Sequence, residues 1–235
     1  MKISGLQKLT LLDFPNRVAC TVFLGGCNLR CPFCHNSLLL GGDAEELMDS
    51  GALLDFLRKR QGVLAGVCIT GGEPTLHADL PELLRSIRAL GYAIKLDTNG
   101  TNPQLLRRLI DEGLVDYVAM DVKNGPDHYA ETVGIEDFSL AAIEESIRIL
   151  LEDKTDYELR TTVVLPLHSE DSIAAMSAWL TALGDGKKVK RLYLQPFVDR
   201  DTVPVAGLCA PEADTLSAFV GLLQSCADYV TLRGV

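Results

Sequence analysis

Three cysteines, Cys27, Cys31 and Cys34, stand within eight consecutive residues of this 235-residue chain, directly after an apolar run and the pair Gly25-Gly26. Closely spaced thiolates bind soft or borderline metals and iron–sulfur clusters. A C-x3-C-x2-C loop is short enough to seat three sulfurs on three corners of one cubane. The fourth corner is left open, because Cys20 lies back inside the apolar run and Cys68 lies far downstream. An iron without a protein ligand can bind a small molecule there. A zinc knuckle completed by His35 would satisfy tetrahedral coordination, although adjacent Cys34 and His35 chelate awkwardly. A disulfide framework fits poorly, since seven cysteines are an odd number spread over a long chain without a secretory signal, and a reducing cytosol is expected.

Composition narrows the partners. The chain is 47% hydrophobic and 23% charged, ordinary for a globular protein, and no apolar run approaches the length that spans a bilayer. A net charge of −10 argues against a broad phosphate-binding face. Neither nucleic acid nor membrane is expected as a partner. The basic clusters Arg58-Lys59-Arg60 and Lys187-Lys188-Val189-Lys190-Arg191 read as solvated helix ends or loops.

Short apolar runs alternate with capped amphipathic stretches from residue 17 onward, and this pattern predicts an α/β fold with a parallel sheet. Strands are predicted at 17–24, 67–70, 92–97, 115–122, 157–165 and 189–197, and residues 1–16 read as an extended N-terminal arm closed by Phe14-Pro15-Asn16. Helices are predicted near 50–61, 79–90, 102–110, 139–151, 171–183 and 211–226, with a short apolar tail at 229–232. Asp79 and Glu82 form a capping-box pattern, and Asn102-Pro103 is a cap and first-turn pair. Six strand–helix units rather than eight imply a partial, open (β/α)6 barrel. One domain over 1–235 is expected, since no linker, repeat or low-complexity segment divides it.

In such barrels the loops at the strands' C-terminal ends build the site. The second strand ends in Thr70-Gly71-Gly72-Glu73-Pro74, where glycines keep the backbone accessible; the same sequence also reads as an ordinary turn. The third strand ends in Asp97-Thr98. Asp121 and Lys123, two residues apart, point to one side of the fourth strand. Two carboxylates in one cavity repel unless a cation lies between them, a role open to Lys123 or to a bound monovalent ion. Arg160, inside an apolar strand, is either on an exposed face or paired with a carboxylate. His77, His128 and His168 stand alone in or beside loops, which suggests solvent-facing or capping roles. Cys20, Cys68 and Cys226 read as small core residues, and Cys209 as a loop cysteine.

The arrangement Cys27, Cys31, Phe33, Cys34 resembles the C-x3-C-x-aromatic-C motif of radical S-adenosylmethionine (SAM) enzymes. That resemblance implies one 4Fe–4S cluster held by Cys27, Cys31 and Cys34, with the open iron chelated by SAM. The continuation His35-Asn36, with the opening Gly5-Leu6-Gln7-Lys8-Leu9-Thr10-Leu11-Leu12-Asp13-Phe14-Pro15, is similar to the activating enzymes of glycyl-radical proteins, and most of all to the activators of anaerobic ribonucleoside-triphosphate reductase. It implies cofactor contacts from Phe33, His35, Gly71, Gly72, Glu73, Asp97, Thr98, Asp121, Lys123 and Arg160. It further implies a flavodoxin or ferredoxin as electron donor and a glycyl-radical enzyme as partner, while leaving the catalytic residue unassigned. Val198 follows Pro196-Phe197 where pyruvate formate-lyase activators carry a histidine, a departure that favours the reductase activators. The alternatives are a pyruvate formate-lyase-type activator, a radical SAM enzyme of cofactor or deazaguanine biosynthesis, and a metal-binding interaction protein. No cysteine-rich insert or C-terminal extension is present, so one cluster is expected.

Overall fold

The apolar runs become parallel strands, and the amphipathic stretches between them become the helices that cover the sheet. The computed structural model describes residues 1–41 and 45–234. Its chain divides into two compact units, each assembled from separate segments. The first comprises Met1–Asn28, Leu38–Ala119 and Lys154–Asp156, and the second Leu29–Ser37, Met120–Asp153 and Tyr157–Val235.

The first unit contains β1 (Lys2–Ile3), β2 (Gly5–Thr10), β3 (Ala19–Leu24), β4 (Met48–Asp49), α1 (Ser50–Arg58), β5 (Gly66–Gly71), α2 (Leu80–Ala89), β6 (Ala93–Thr98) and α3 (Pro103–Asp111). β3, β5 and β6 are parallel neighbours, and their register places Thr21, Cys68 and Lys95 in one row across the sheet. The N-terminal arm is extended as expected, and its residues Gly5–Thr10 pair antiparallel with β3, with Leu6 opposite Val22. Phe14, at the end of the arm, packs with Ala19, Cys68, Tyr117 and Ala119. Cys20 and Cys68 are fully buried, as small core residues should be.

Helix punctuation follows the sequence closely. Asn102 caps α3 by accepting from Leu105 N at 3.2 Å, and Pro103 opens its first turn. The capping box expected at Asp79 is not formed. Asp79 instead lies 3.4 Å from the Met1 amino nitrogen, so an ion pair takes the carboxylate that the helix would have used. The buried stripe of α2 is Leu80, Leu83, Leu84 and Ile87.

β7 (Tyr117–Asp121) begins in the first unit, and its last two residues belong to the second. The second unit continues with α4 (Tyr129–Val133), α5 (Ala141–Leu151), β8 (Asp156–Val163), α6 (Glu170–Gly184), β9 (Val189–Pro196), α7 (Ala213–Leu223) and β10 (Ala227–Leu232). β8, β9 and β10 run parallel. The apolar tail at 229–232 is therefore a sheet strand, since backbone groups lying beside β9 must find partners. α4 was also not anticipated; it fills part of what reads as a loop before residue 139.

β8 alternates cleanly: Tyr157, Leu159, Thr161 and Val163 are buried on one face, while Glu158, Arg160 and Thr162 share the other. Glu158 is wholly buried and receives a two-pronged bond from Arg233, at 2.6 Å from Nη1 to Oε1 and 2.8 Å from Nη2 to Oε2. The guanidinium also lies 3.5 Å from the centre of the Tyr193 ring. An Arg233→Met variant removes this two-pronged bond from the buried Glu158 carboxylate. We expect a loss of about 2 kcal/mol, below the fully buried case because Arg233 is one-third exposed, and a fall in thermal midpoint of roughly 5 °C by calorimetry. The double variant Glu158→Gln/Arg233→Met should recover part of the loss.

Candidate functional site

In the first unit, the cysteine loop and the turn after β5 meet backbone to backbone. Gly72 N donates to Leu24 O and Glu73 N to Gly26 O, each at 2.8 Å. A Cβ on Gly72 would sit 2.0 Å from Gly26 O, and one on Gly71, where φ is +120°, would sit 2.3 Å from Leu24 O. Only glycine permits this approach. The sequence suggested that these glycines open the backbone to a ligand; the contact they make here is with the strand that feeds the cysteine loop. His77 reinforces it, with Nε2 at 2.9 Å from Gly25 O.

Glu73 is wholly buried and fully engaged. Its Oε1 accepts from Thr75 N at 3.0 Å, Thr75 Oγ1 at 2.6 Å and Thr98 Oγ1 at 2.8 Å, and its Oε2 accepts from Asn99 N at 2.6 Å. Burial pushes its pKa up, and these donors oppose the shift. Glu73 and Thr98, both anticipated, are thus brought into direct contact. Asp97 is paired elsewhere, with the buried ammonium of Lys95 two residues before it on β6. Lys95 was not singled out from the sequence, although a lysine between Ile94 and Leu96 in an apolar strand is the signal that marked Arg160. Asn99 belongs to the Asp97-Thr98-Asn99-Gly100 segment that the family resemblance lines along the cofactor pocket, where it carries no role of its own. It donates to Asn28 Oδ1 at 3.0 Å, with the same nitrogen 3.9 Å from Cys27 Sγ.

In the second unit, Cys31 and Cys34 share one turn, closed by Cys34 N donating to Cys31 O at 3.1 Å. Phe33 is buried between them in sequence. Helix α4 braces this loop. Arg30 N donates to Val133 O at 2.8 Å, and Gly134, at φ +66°, lets the Arg30 carbonyl come within 2.3 Å of where a Cβ would stand. His35 stacks on Phe197 with centroids 5.7 Å apart, and its Nε2 lies 2.7 Å from Val198 O. The position that lacks a polar side chain, Val198, therefore contributes its carbonyl.

Asp121, Lys123 and Arg160 form one cluster: Lys123 Nζ and Arg160 Nε each lie 2.9 Å from the Asp121 carboxylate. Arg160 is thereby paired rather than exposed. Burial alone would raise the Asp121 pKa, but Arg160 and Lys123 outweigh it and bring it to about 2. Lys123 moves up, because Asp121 and, to a smaller extent, Cys31 outweigh its desolvation. Asp97 and Asp121 each have a basic side chain as partner, Lys95 for the first and Lys123 and Arg160 for the second. Burial pushes the Cys34 thiol up, opposed by the Asn36 backbone and by Lys123.

His168 departs from its expected solvent-facing role. It is buried, with Nε2 donating to Lys123 O at 2.8 Å and Nδ1 accepting from Val164 N at 3.1 Å. This bonding fits the neutral ring, and burial lowers its pKa. A histidine kept neutral in the folded state contributes stability that is complete above its unfolded pKa near 6.5 and declines as pH falls below it. Chemical denaturation at pH 7.5 and 5.5 should show wild-type protein losing stability between them, and His168→Gln losing less.

The cysteine donor set fits an iron–sulfur cluster. All seven cysteines are free thiols, and the three of the motif lie in loop rather than in helix or strand. Among those residues no three His, Cys, Asp or Glu side chains are gathered to hold a metal ion, so the ligand assignment rests on spacing and thiol chemistry. No helix among them is long and apolar enough to cross a membrane.

Comparison with known proteins gives this arrangement its class. The chain belongs to the radical SAM superfamily, whose family model matches residues 21–180. It is 34% identical over 180 residues to a proposed glycyl-radical enzyme activating enzyme of Methanocaldococcus jannaschii, covering 73% of this chain and 72% of that protein. A match to the 7-carboxy-7-deazaguanine synthase of Aquifex aeolicus, 37% identical over 78 residues, is confined to 33% of this chain and 34% of that enzyme. Among solved structures, a domain of a pyruvate formate-lyase activating enzyme from Bacteroides vulgatus superposes with a TM-score of 0.55 at 20% identity, covering 72% of this chain and 99% of that one. The SAM-bound SuiB of Streptococcus suis superposes with a TM-score of 0.61 at 12% identity, covering 91% of this chain and 52% of that one. The fold is thus the α/β fold of radical SAM enzymes, as expected, and the family implies a 4Fe–4S cluster and SAM.

Proposed function

We propose that this chain is an activase that installs a glycyl radical on a partner enzyme, and that the partner is an anaerobic ribonucleoside-triphosphate reductase. The observation that carries the activase reading is the likeness to the Methanocaldococcus jannaschii protein over nearly three-quarters of both chains, joined to the C-x3-C-x-Phe-C loop. The choice of reductase rests on the opening stretch from Gly5 to Pro15 and on Val198.

Cys27, Cys31 and Cys34 would hold the cluster, which would supply the electron for reductive cleavage of SAM to methionine and a 5′-deoxyadenosyl group. The chain's own residues orient and shield. The Gly71-Gly72-Glu73 turn offers its backbone to the methionine ammonium, since the Glu73 carboxylate is already occupied by Thr75, Thr98 and Asn99. Lys123 and Arg160 outnumber Asp121, and this excess positive charge suits the methionine carboxylate. Asp97, Thr98, Phe33 and His35 complete the cofactor contacts, and a monovalent cation beside them remains part of the proposal. With cluster and SAM bound, the chemistry supplied would be transfer of a glycine Cα hydrogen atom of the partner to the 5′-deoxyadenosyl group, leaving 5′-deoxyadenosine and a glycyl radical. A flavodoxin or ferredoxin is the electron donor.

Anaerobically reconstituted protein should lose most of its iron and sulfide when Cys27, Cys31 or Cys34 is changed to Ala, and keep them when Cys20, Cys68, Cys209 or Cys226 is changed. Mixed with reduced donor, SAM and the reductase, wild-type protein should give a glycyl-radical doublet by electron paramagnetic resonance. The doublet should be absent when the reductase glycine is replaced by Ala. SAM cleavage with no protein radical would instead support a small-molecule substrate, the reading that the deazaguanine synthase likeness favours.

A further inference from the structure

Asn99 is held at its backbone N–H and at both polar atoms of its side chain, and the arrangement aims its amide at a sulfur. Its backbone N–H is taken by Glu73 Oε2 at 2.6 Å. Its Oδ1 accepts from Thr101 N at 3.0 Å and from Thr101 Oγ1 at 2.7 Å. Its Nδ2 donates to Asn28 Oδ1 at 3.0 Å and stands 3.9 Å from Cys27 Sγ. Asn28 is itself fixed, its own amide donating to Thr101 Oγ1 at 2.9 Å. With one amide proton on Asn28 and both lone-pair sites of Oδ1 engaged, the second amide proton has Cys27 as its acceptor. Asn99 is nearly buried, so water competes little for that proton.

Resting on the cluster assignment proposed above, we infer that Asn99 is a positioning residue that raises the cluster's reduction potential by donating an N–H to the Cys27 sulfur, and that Glu73 fixes the Asn99 backbone for that purpose. Reduction adds negative charge to the iron–sulfur unit and its thiolates. A donor on a ligating sulfur stabilises the more negative state and moves the potential up. The low-dielectric surroundings strengthen the effect. The Gly-Gly-Glu turn thereby acts at two places: its backbone faces the cofactor, while its carboxylate works through Asn99 on the cluster.

An alternative role for Asn99 is only to build the turn after β6, and the test separates the two. Asn99→Ser is neutral and keeps a side-chain oxygen for Thr101 N while removing the amide donor. Thr101→Val keeps the amide but removes the hydroxyl that orients it. Each variant and the wild type would be reconstituted anaerobically, assayed for iron per chain, and titrated potentiometrically with the reduced cluster followed by electron paramagnetic resonance. At full iron loading, Asn99→Ser should shift the reduced-to-oxidised ratio at a fixed potential about tenfold toward oxidised, a fall of ~59 mV for one electron. Thr101→Val should shift it the same way by less. Unchanged potential in loaded Asn99→Ser overturns the inference. Should that variant fail to load, an unchanged potential in Thr101→Val overturns it equally. A wild-type protein that takes up no cluster overturns the cluster assignment itself and this inference with it, a result distinguishable from unchanged potentials in loaded variants.

Discussion

The buried carboxylate of Glu73 is the contact on which the rest of the first unit's loop geometry depends. Removing a carboxylate from water costs several kcal/mol unless donors replace the lost hydration, and here two backbone N–H groups and two hydroxyls do so. Those donors come from both the turn after β5 and the turn after β6, so neither can move without stripping the charge. The turn after β5 is also clamped against Gly26 by a contact that tolerates no side chain. The position of Cys27 is thereby fixed by residues distant in sequence, which no short motif could supply alone.

A second constraint recurs in both units: charged residues two apart on a strand end pair with each other. Lys95 with Asp97 and Lys123 with Asp121 use the two-residue repeat that puts alternate side chains on one face. The consequences differ. Lys95 pairs with Asp97, whereas Arg160 joins the second pair at the Asp121 carboxylate. Charge at the ends of these strands is thus set by neighbouring strands as well as by the motif.

The sequence made the alternating pattern, most helix ends and the cysteine loop legible because they depend on local rules: periodicity, caps and spacing. Arg160 could be narrowed to a paired or exposed residue because an isolated charge in an apolar strand has few options, and its pairing resolves that choice. The residues that escaped notice depend on distant partners. Asn99 looks like any strand-ending turn until Glu73, Asn28 and Cys27 are beside it. His168 looks like a loop histidine until the Lys123 carbonyl and the Val164 N–H enclose it. The failed cap at Asp79 has the same origin, a competing charge that local sequence rules do not register. Strand β10 likewise depends on β9 for its backbone partners, and the short apolar tail at 229–232 carries no sign of that pairing.

The protonation states of these groups are held rather than poised. Asp121, brought to about 2 by Arg160 and Lys123 against the cost of burial, stays ionised through the neutral range, and Lys123 is pushed the other way and stays charged. His168 is kept neutral by burial, with both ring nitrogens engaged. Glu73 is wholly buried and accepts from four donors. General acid–base catalysis needs a group whose pKa lies near the working pH and whose proton is free to move, and the paired Asp121 and Lys123 and the doubly bonded His168 do not meet both conditions. Abstraction of a hydrogen atom by a carbon radical moves proton and electron together and requires no such group. Under the function proposed above, such a reaction would call for fixed charge to orient the cofactor and a rigid wall to keep the radical from side reactions, and locked ion pairs supply that better than titrating ones.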